Sequence, residues 1–319
     1  MDDLRPAVHA PLRRDPAPAK PVPAHVTADM RPDEAFRITL SGCLAQITAN
    51  AAALKAGRSV EGLHQLRVAL RRLDVAIQAF AKEFRQPWLE ELRDRGKILS
   101  DRVGPARDLD VFVETLLDAV PCGDGMTALR RRAQAARDAA WKTVEACVRG
   151  PDLALFLEDV AALAASRLPL GRDHRLPCTA ARILDRQWQR VKKRGRAAKG
   201  RADPDGADLH RLRIALKKLR YAAEVFAPLY PARKVKAYLK QARALQEHLG
   251  DLNDIVHVRQ TLALVLRAES RKHADRAHDD DMAFAAGMVA GWYGAHAAEH
   301  ARQALRCYAD FKAVKPFWD

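Results

Sequence analysis

The chain has 319 residues, above the size at which one hydrophobic core usually stops growing, so two packed units are expected. Hydrophobic residues make up 48% of the chain, which excludes a largely disordered protein. Lys and Arg outnumber Asp and Glu by 55 to 40, and the resulting net charge of +15 indicates polyanionic partners. Aromatic residues reach only 6%, which argues against a β-sandwich and against a surface that stacks nucleic-acid bases.

Targeting and redox signals predict a soluble cytoplasmic protein. The first residues lack the apolar stretch of a signal peptide, and no run of about 18 uncharged apolar residues is present. The five cysteines are widely spaced and form no CxxC pair, which is typical of free thiols in a reducing compartment. We therefore expect no membrane insertion, no disulfide framework and no zinc site.

The N-terminal segment, residues 1–32, contains seven of the 17 prolines. Proline lacks a backbone N–H and restricts φ, so this density opposes helix formation. We therefore expect residues 1–32 to form an extended, flexible tail.

From residue 33 onward apolar residues recur at helical spacing, beginning with Phe36, Leu40, Leu44 and Ile47. No alternating strand pattern is present, so the predicted fold class is all-α. Glycine and proline predict helix breaks near positions 57, 87, 104–105, 121–125, 150–151, 169–177, 200–206, 228–231 and 250.

An internal repeat is the strongest signal in the sequence. Residues 63–73, LHQLRVALRRL, match residues 209–219, LHRLRIALKKL, at an offset of 146 positions. Residues 103–108, VGPARD, match residues 249–254, LGDLND, at the same offset. We therefore predict a duplicated unit that forms two four-helix bundles related by a pseudo-twofold axis. The two units cover residues 33–170 and 171–319.

Each copy of the longer motif places one histidine and two basic residues on one helix stripe, at spacing i, i+3, i+7. Apolar residues flank the stripe on both sides, whereas a solvated charged face would be polar there. The stripes are therefore predicted to line a groove or a cavity between the bundles, where an anionic partner would neutralise the repelling charges. The stripe residues are His64, Arg67 and Arg71 in the first copy and His210, Arg213 and Lys217 in the second.

Basic residues are concentrated in the second half of the chain. Residues 182–220 contain 14 Lys or Arg and 4 Asp or Glu. Within this range Arg186, Arg190 and Lys193 continue a helical stripe that begins at Arg182. The second half is therefore expected to dominate the electrostatic field.

The shorter motif adds two further pairs of corresponding residues. Lys97 and Arg243 correspond at the offset of 146 positions and are predicted to face the same groove. Asp108 and Asp254 follow the glycines of the shorter motif and precede apolar helical runs. We expect these two carboxylates to cap a helix or to pair with a buried arginine, and not to act in catalysis.

The His-x-x-Arg-x-x-x-Arg-Arg-Leu motif at His64, its copy at His210 and the two Gly-x-x-[Arg/Asn]-Asp motifs resemble the CHAD family, a histidine-bearing α-helical domain. Residues 315–318, KPFW, are also similar to that family's usual end, so the resemblance covers about residues 33–318. It implies two four-helix bundles whose central groove binds inorganic polyphosphate. We expect no cofactor and no catalysis, and the purpose of binding stays open among granule targeting, storage and sensing.

The resemblance assigns polyphosphate contacts to the motif positions His64, Arg67, Arg71, Arg72, Arg107, His210, Arg213, Lys217, Lys218 and Arg220. The charge pattern adds Lys97, Arg186, Arg190, Lys193 and Arg243. The sequence departs from the family at Asp74, where a basic residue is usual, whereas Arg220 at the corresponding position fits. We therefore expect the first half to bind an anion more weakly than the second.

Two other functions stay open on the sequence. A nucleic-acid-binding protein fits the charge, but no known DNA- or RNA-binding motif is visible and Tyr221 is the only aromatic residue near a stripe. A metal-dependent phosphohydrolase is suggested by residues 278–281, HDDD, and by residues 296–300, HAAEH, which match the H-x-x-E-H spacing of inverted zinc peptidases. An acidic loop and an Ala-rich helix explain these two matches more simply. The oligomeric state is open.

Overall fold

The computed structural model describes residues 16–84, 86–121, 125–169, 175–200, 206–267 and 276–319. Within these residues the protein is all-helical and contains no strand, as the apolar spacing predicts. No described helix combines the length and the apolar content that crossing a bilayer requires. The α-helices are α1 Pro32–Ala56, α2 Val60–Phe84, α3 Trp88–Val111, α4 Gly125–Arg149, α5 Pro151–Ala165, α6 Leu176–Gly200, α7 Ala207–Phe226, α8 Ala232–Arg267 and α9 Arg276–Ala313. A π-helix, Phe112–Leu116, follows α3, and a 3₁₀ turn, Ala227–Leu229, follows α7.

Most helix ends agree with the predicted breaks. Pro32 occupies the first turn of α1, where its missing N–H has no helical partner to lose. The Arg31 backbone N–H donates to the Glu34 carboxylate at 2.9 Å, which closes the same turn. α1 ends before Gly57, and α5 begins at Pro151.

Two predicted breaks, at 104–105 and at 250, are wrong. α3 continues through Gly104 and Pro105, and α8 continues through Gly250. A proline inside a helix removes one backbone hydrogen bond, but Val103 and Ala106 on either side are each only 1% exposed. Because burial of these side chains favours the continuous helix, the shorter motif lies within a helix and not in a turn.

The hydrophobic core is shared by both halves of the chain. The largest cluster joins side chains from all nine described α-helices, and the rings of Phe80 on α2 and Phe226 on α7 lie 5.7 Å apart between centroids. A second cluster, around Phe112, Val258 and Val289, joins the α3–α4 region to the α8–α9 region. The two copies of the longer motif thus lie on helices that contact each other across the core.

The two halves differ in their described helices. Residues 33–170 form α1–α5, and residues 171–319 form α6–α9. α8 and α9 have 36 and 38 residues, whereas α3 and α4 have 24 and 25. The pseudo-twofold pair of four-helix bundles and the boundary near 170 therefore stay predictions. The structure does place the repeated motifs on corresponding helices. The longer motif lies on α2 and α7, and the shorter motif lies on α3 and α8.

Residues 16–31 contain no helix, in agreement with their proline content. The Asn50 side chain on α1 holds this segment, because its Nδ2 donates to the Ala19 carbonyl at 2.9 Å and its Oδ1 accepts from the Ala19 N–H at 3.0 Å. Val26 is 2% exposed and belongs to the core. These contacts join residues 16–31 to α1 and to the core, residues 1–15 lie outside the described residues, and the flexible tail stays a prediction.

Candidate anion-binding site

The stripes predicted on α2 and α7 approach each other at Arg71, which repels Arg213 and Lys217, and the two helices are in contact. The leucines of each motif are buried, with Leu66 at 2% and Leu212 at 0% exposure, and this fixes the rotation of both helices about their axes. The neighbouring stripes consequently lie at the edge of the core. We call their six members the central basic cluster: His64, Arg67, Arg71, His210, Arg213 and Lys217.

Lys217 has the most strongly shifted pKa in the central basic cluster. Burial, followed by repulsion from Arg71, Arg213 and Arg220, lowers its pKa from 10.5 to about 6, against an opposing attraction to Asp254. Arg71 lies on α2, the other two arginines on α7, and Asp254 on α8. Among the described residues, Arg71 and Lys217 have no hydrogen-bond or ion-pair partner. The centre of the cluster therefore holds a charged Arg71 beside a lysine that burial and repulsion keep largely neutral above about pH 6, and neither side chain forms an ion pair among the described residues.

Arg67 is held by the first copy of the shorter motif. Its Nη1 donates to the Gly104 carbonyl at 2.6 Å and to the Asp108 carboxylate at 3.0 Å. Asp108 lies inside α3, so it does not cap a helix. The expected alternative, pairing with a partly buried arginine, is the one that the structure shows.

Arg213 is held by the second copy of the shorter motif. Its Nη1 donates to Asn253 Oδ1 at 2.8 Å, and His210 Nδ1 lies 3.0 Å from the same oxygen. An amide oxygen only accepts hydrogen bonds, so the contact with His210 requires a proton on Nδ1. In the neutral ring Nε2 is then the unprotonated nitrogen, and it donates to an anion only after taking up a proton. Asp254, the counterpart of Asp108, attracts Arg213 electrostatically.

Both histidines of the cluster favour the neutral form. Burial, with repulsion from Arg107, Arg71 and Arg67, lowers the pKa of His64 below 6.5, although Glu61 opposes this. Burial likewise lowers the pKa of His210; the bond to Asn253 opposes the shift, and nearby positive charges add to it. A bound anion would act in the reverse direction on both rings.

Three of the predicted basic residues, Arg72, Arg220 and Arg243, converge on Glu224 of α7. Arg72 Nη1 lies 3.1 Å from Glu224 Oε2, Arg220 Nη1 bonds to Oε1, and Arg243 Nη2 lies 4.0 Å from Oε1. Arg220 also donates to Gln246 at 2.8 Å. Arg72 and Arg220 are therefore ion-paired within the protein, whereas Arg71 has no ion pair among the described residues; the single carboxylate still leaves the three cations with a net positive charge.

Asp74 does not act as the unpaired negative charge that the sequence predicts. Arg93 Nε donates to Asp74 Oδ1 at 2.7 Å, between α2 and α3. Arg220, the counterpart of Asp74, is paired with Glu224. The expected electrostatic difference between the halves at these positions is thus reduced, because each charge already has an opposite charge beside it.

The remaining predicted residues lie on α3, α6 and α7. Arg186 pairs with Glu83 at 2.7 Å and donates to the Ala79 carbonyl. Burial lowers the pKa of Lys218, whose charged neighbours are Asp74, Arg93 and Arg190. Arg107 acts electrostatically on His64. Lys97 and Lys193 are exposed, and the described residues show no contact between them and the central basic cluster, so their role stays a prediction.

Sequence reasoning missed three residues that bind the predicted cations, namely Glu83, Glu224 and Asn253, and it missed Arg93, which pairs with Asp74. The pairing of Glu224 could be predicted from helical spacing, since Glu224 follows Arg220 by four residues and Lys217 by seven on the same stripe. Asn253 belongs to the shorter motif itself, but it was interpreted as part of a turn. The pairs of Glu83 and Arg93 link different helices and leave no local signal.

The second alternative from the sequence is a metal site. Among the described residues, no group of three His, Cys, Asp or Glu side chains converges in a way that could hold a metal ion. Glu299 is paired with Arg302, and His296 Nδ1 lies 2.7 Å from the Trp292 carbonyl. The side chains of His278 and Asp279 lie outside the described residues.

The fold and the site define a helical protein in which two copies of one motif meet in a cluster of basic side chains. The family model of the CHAD domain matches residues 38–263, and the chain belongs to the CHAD domain family. The crystal structure of the CHAD domain from the plant Ricinus communis is similar over 94% of this chain and 98% of its own, with 28% identity and a TM-score of 0.82.

A second solved structure has the same fold. PptA from Streptomyces chartreusis is similar over 88% of this chain and 99% of its own, with a TM-score of 0.68. Its identity to this chain is 18%, so it shows the fold alone. Among curated proteins no match is found.

Proposed function

We propose that this protein binds inorganic polyphosphate at the central basic cluster, without catalysis. The observation that carries the proposal is the repulsion between Arg71 on α2 and Lys217 on α7, neither of which forms a hydrogen bond or an ion pair among the described residues. Phosphate oxygens accept hydrogen bonds from an arginine fork and neutralise a lysine. The resemblance to the CHAD family implies the same ligand.

A polymeric phosphate suits the cluster better than a single anion. The electrostatic contacts continue from Arg107 and His64 through Arg71 and Lys217 to His210, so several phosphates can be neutralised at once. Polyphosphate carries roughly one negative charge per phosphate along a flexible chain and needs no shaped pocket. The small cavity beside Arg72, between α1, α2 and α7, is mainly apolar and is not part of this surface.

Nucleic acid is the less favoured polyanion. Tyr221, the aromatic residue beside the stripe, is only 6% exposed, and the guanidinium of Arg220 lies 4.5 Å from its ring centroid. Binding of single strands relies on aromatic faces that are open to bases, and this ring offers none.

Titration with polyphosphate of graded length, single-stranded DNA and RNA tests the proposal. Long polyphosphate should bind most tightly. If its contacts resemble those of DNA-binding proteins, its affinity should fall on the order of 10³-fold or more between about 50 and 200 mM salt. Arg71→Ala combined with Lys217→Ala should weaken binding at least about tenfold. Arg302→Ala combined with Lys312→Ala, which removes two exposed charges on α9, is the matched control.

Three results would overturn the proposal: a flat salt profile, equal affinity for orthophosphate and long chains, or equal losses in the two double variants. A phosphate-release assay on the same samples tests the absence of catalysis, and we expect no release. Association with polyphosphate granules is the cellular counterpart of this proposal, and the Arg71 and Lys217 double variant should lose it.

A further inference from the structure

Two arginines that are predicted to bind the anionic ligand, Arg72 and Arg220, are already paired with the carboxylate of Glu224. Arg72, from α2, and Arg220, from α7, each contact one of its two carboxylate oxygens, and Arg243 approaches from α8. The side chains of Arg72, Arg220 and Glu224 are 14%, 15% and 20% exposed, so this ion pair is largely shielded from water. Two guanidinium groups on two oxygens is also the arrangement that a phosphate group would accept.

The position of Glu224 connects it to the central basic cluster. Arg213, Lys217, Arg220 and Glu224 follow one another at spacing i, i+4, i+7, i+11, which is a single stripe of α7. Lys217 is repelled by Arg220, and Arg220 is bound to Glu224. The stripe therefore runs from Arg213 and Lys217, which form no ion pair among the described residues, to Arg220, which is paired with a carboxylate of the protein.

The carboxylate is confined to one of the two repeats. At the offset of 146 positions the counterpart of Glu224 is Gln78, which has no charge. A link between α2 and α7 alone would not require a negative charge at the end of a basic stripe, since a neutral amide also accepts from arginine. The charge itself competes with any anion for Arg72 and Arg220.

We propose that Glu224 is a specificity-determining residue that makes the site favour long polyphosphate over short phosphates. This inference rests on the proposed function. A short anion that reaches Arg72 and Arg220 must first break both of their ion pairs with Glu224, and this cost reduces what it gains from the exchange. A long chain already held at Arg71 and Lys217 presents its next phosphates at high effective concentration, so it displaces Glu224 more readily.

The test compares Glu224→Gln with the wild-type protein in calorimetric titrations at constant ionic strength, using pyrophosphate, tripolyphosphate and long-chain polyphosphate. Glu224→Gln should bind tripolyphosphate about tenfold more tightly, because two arginines become available to a charged acceptor. Long-chain polyphosphate should gain less than about threefold, since the wild-type protein already exchanges Glu224 for its phosphates. Glu145→Gln, which removes an equal charge from an exposed position on α4, should change neither affinity.

A second variant keeps the test decisive if Glu224→Gln unfolds. Glu224→Asp keeps the charge but withdraws it by one methylene group, and it should give a smaller gain of the same kind. Unchanged or weaker binding of tripolyphosphate in the folded variants would overturn the inference, and would mean that Glu224 only links α2 to α7. Failure of the wild-type protein to bind any of the three phosphates would instead overturn the proposed function.

Discussion

Binding of polyphosphate should take up a proton at Lys217. Its pKa in the free protein is about 6, so its side chain is mainly neutral at about pH 8. Negative charge beside the amine offsets the repulsion from Arg71, Arg213 and Arg220 and raises the pKa toward its ordinary value. Between the free and the bound pKa the complex holds one more proton, so affinity should fall up to about tenfold per pH unit as the pH rises above 6. Below that window Lys217 is charged in both states, and this dependence vanishes.

Calorimetry in buffers of different ionisation enthalpy measures this proton directly. At about pH 8 the wild-type protein should take up close to one proton per site, whereas Lys217→Arg should take up almost none, because a guanidinium stays charged. Lys142→Arg, on the exposed side of α4, is the matched control and should behave like the wild type. If Lys217→Arg takes up as many protons as the wild type, the lysine is already charged in the free protein. The argument from burial and repulsion is then wrong.

Two further predictions concern the histidines and the pair at Asp74. Replacing both His64 and His210 with Gln should reduce the proton uptake that accompanies binding near pH 6 to the part contributed by Lys217, because His210 Nε2 must gain a proton before it donates to phosphate; the same calorimetry decides, and unchanged uptake would make both rings structural. Asp74→Asn should lower the free energy of unfolding by about 1 kcal/mol, because it removes the charge of a carboxylate that is only 28% exposed and is paired with Arg93. Asp159→Asn breaks a more exposed pair and should cost less than about 0.5 kcal/mol in the same urea titration; equal losses would show that shielding does not distinguish the pairs.

The helical class was predictable because apolar spacing is a local property of the sequence. The errors occurred where tertiary packing overrides local preference. Pro105 is a helix breaker by its own chemistry, yet buried Val103 and Ala106 keep α3 continuous around it. Prolines likewise predict an extended conformation for residues 16–31, but they carry no information about the bonds between Ala19 and Asn50.

The cations of the site were predictable for the same reason, whereas their partners were not. The stripe of Arg213 and Lys217 follows from helical spacing within one segment. Which cations are neutralised depends on contacts between distant residues, such as the pair of Arg72 and Glu224, which lie 152 positions apart. Counting charges along the sequence therefore predicts where the protein is basic, and it does not predict which basic residues remain available to a ligand.

The availability of the cations implies an order of binding events. An anion that arrives between Arg71 and Lys217 is attracted by Arg71 at once and by Lys217 once that amine takes up a proton, in a partly buried place where Coulomb energies at about 4 Å reach about 4 kcal/mol before desolvation costs. An anion that arrives at Arg72 and Arg220 must first break their bonds to Glu224. Contact at the centre of the cluster is therefore favoured from the start, and contact at its edge follows only for a ligand long enough to reach it. The unpaired cations would determine whether polyphosphate binds, and the paired cations would determine how long it must be.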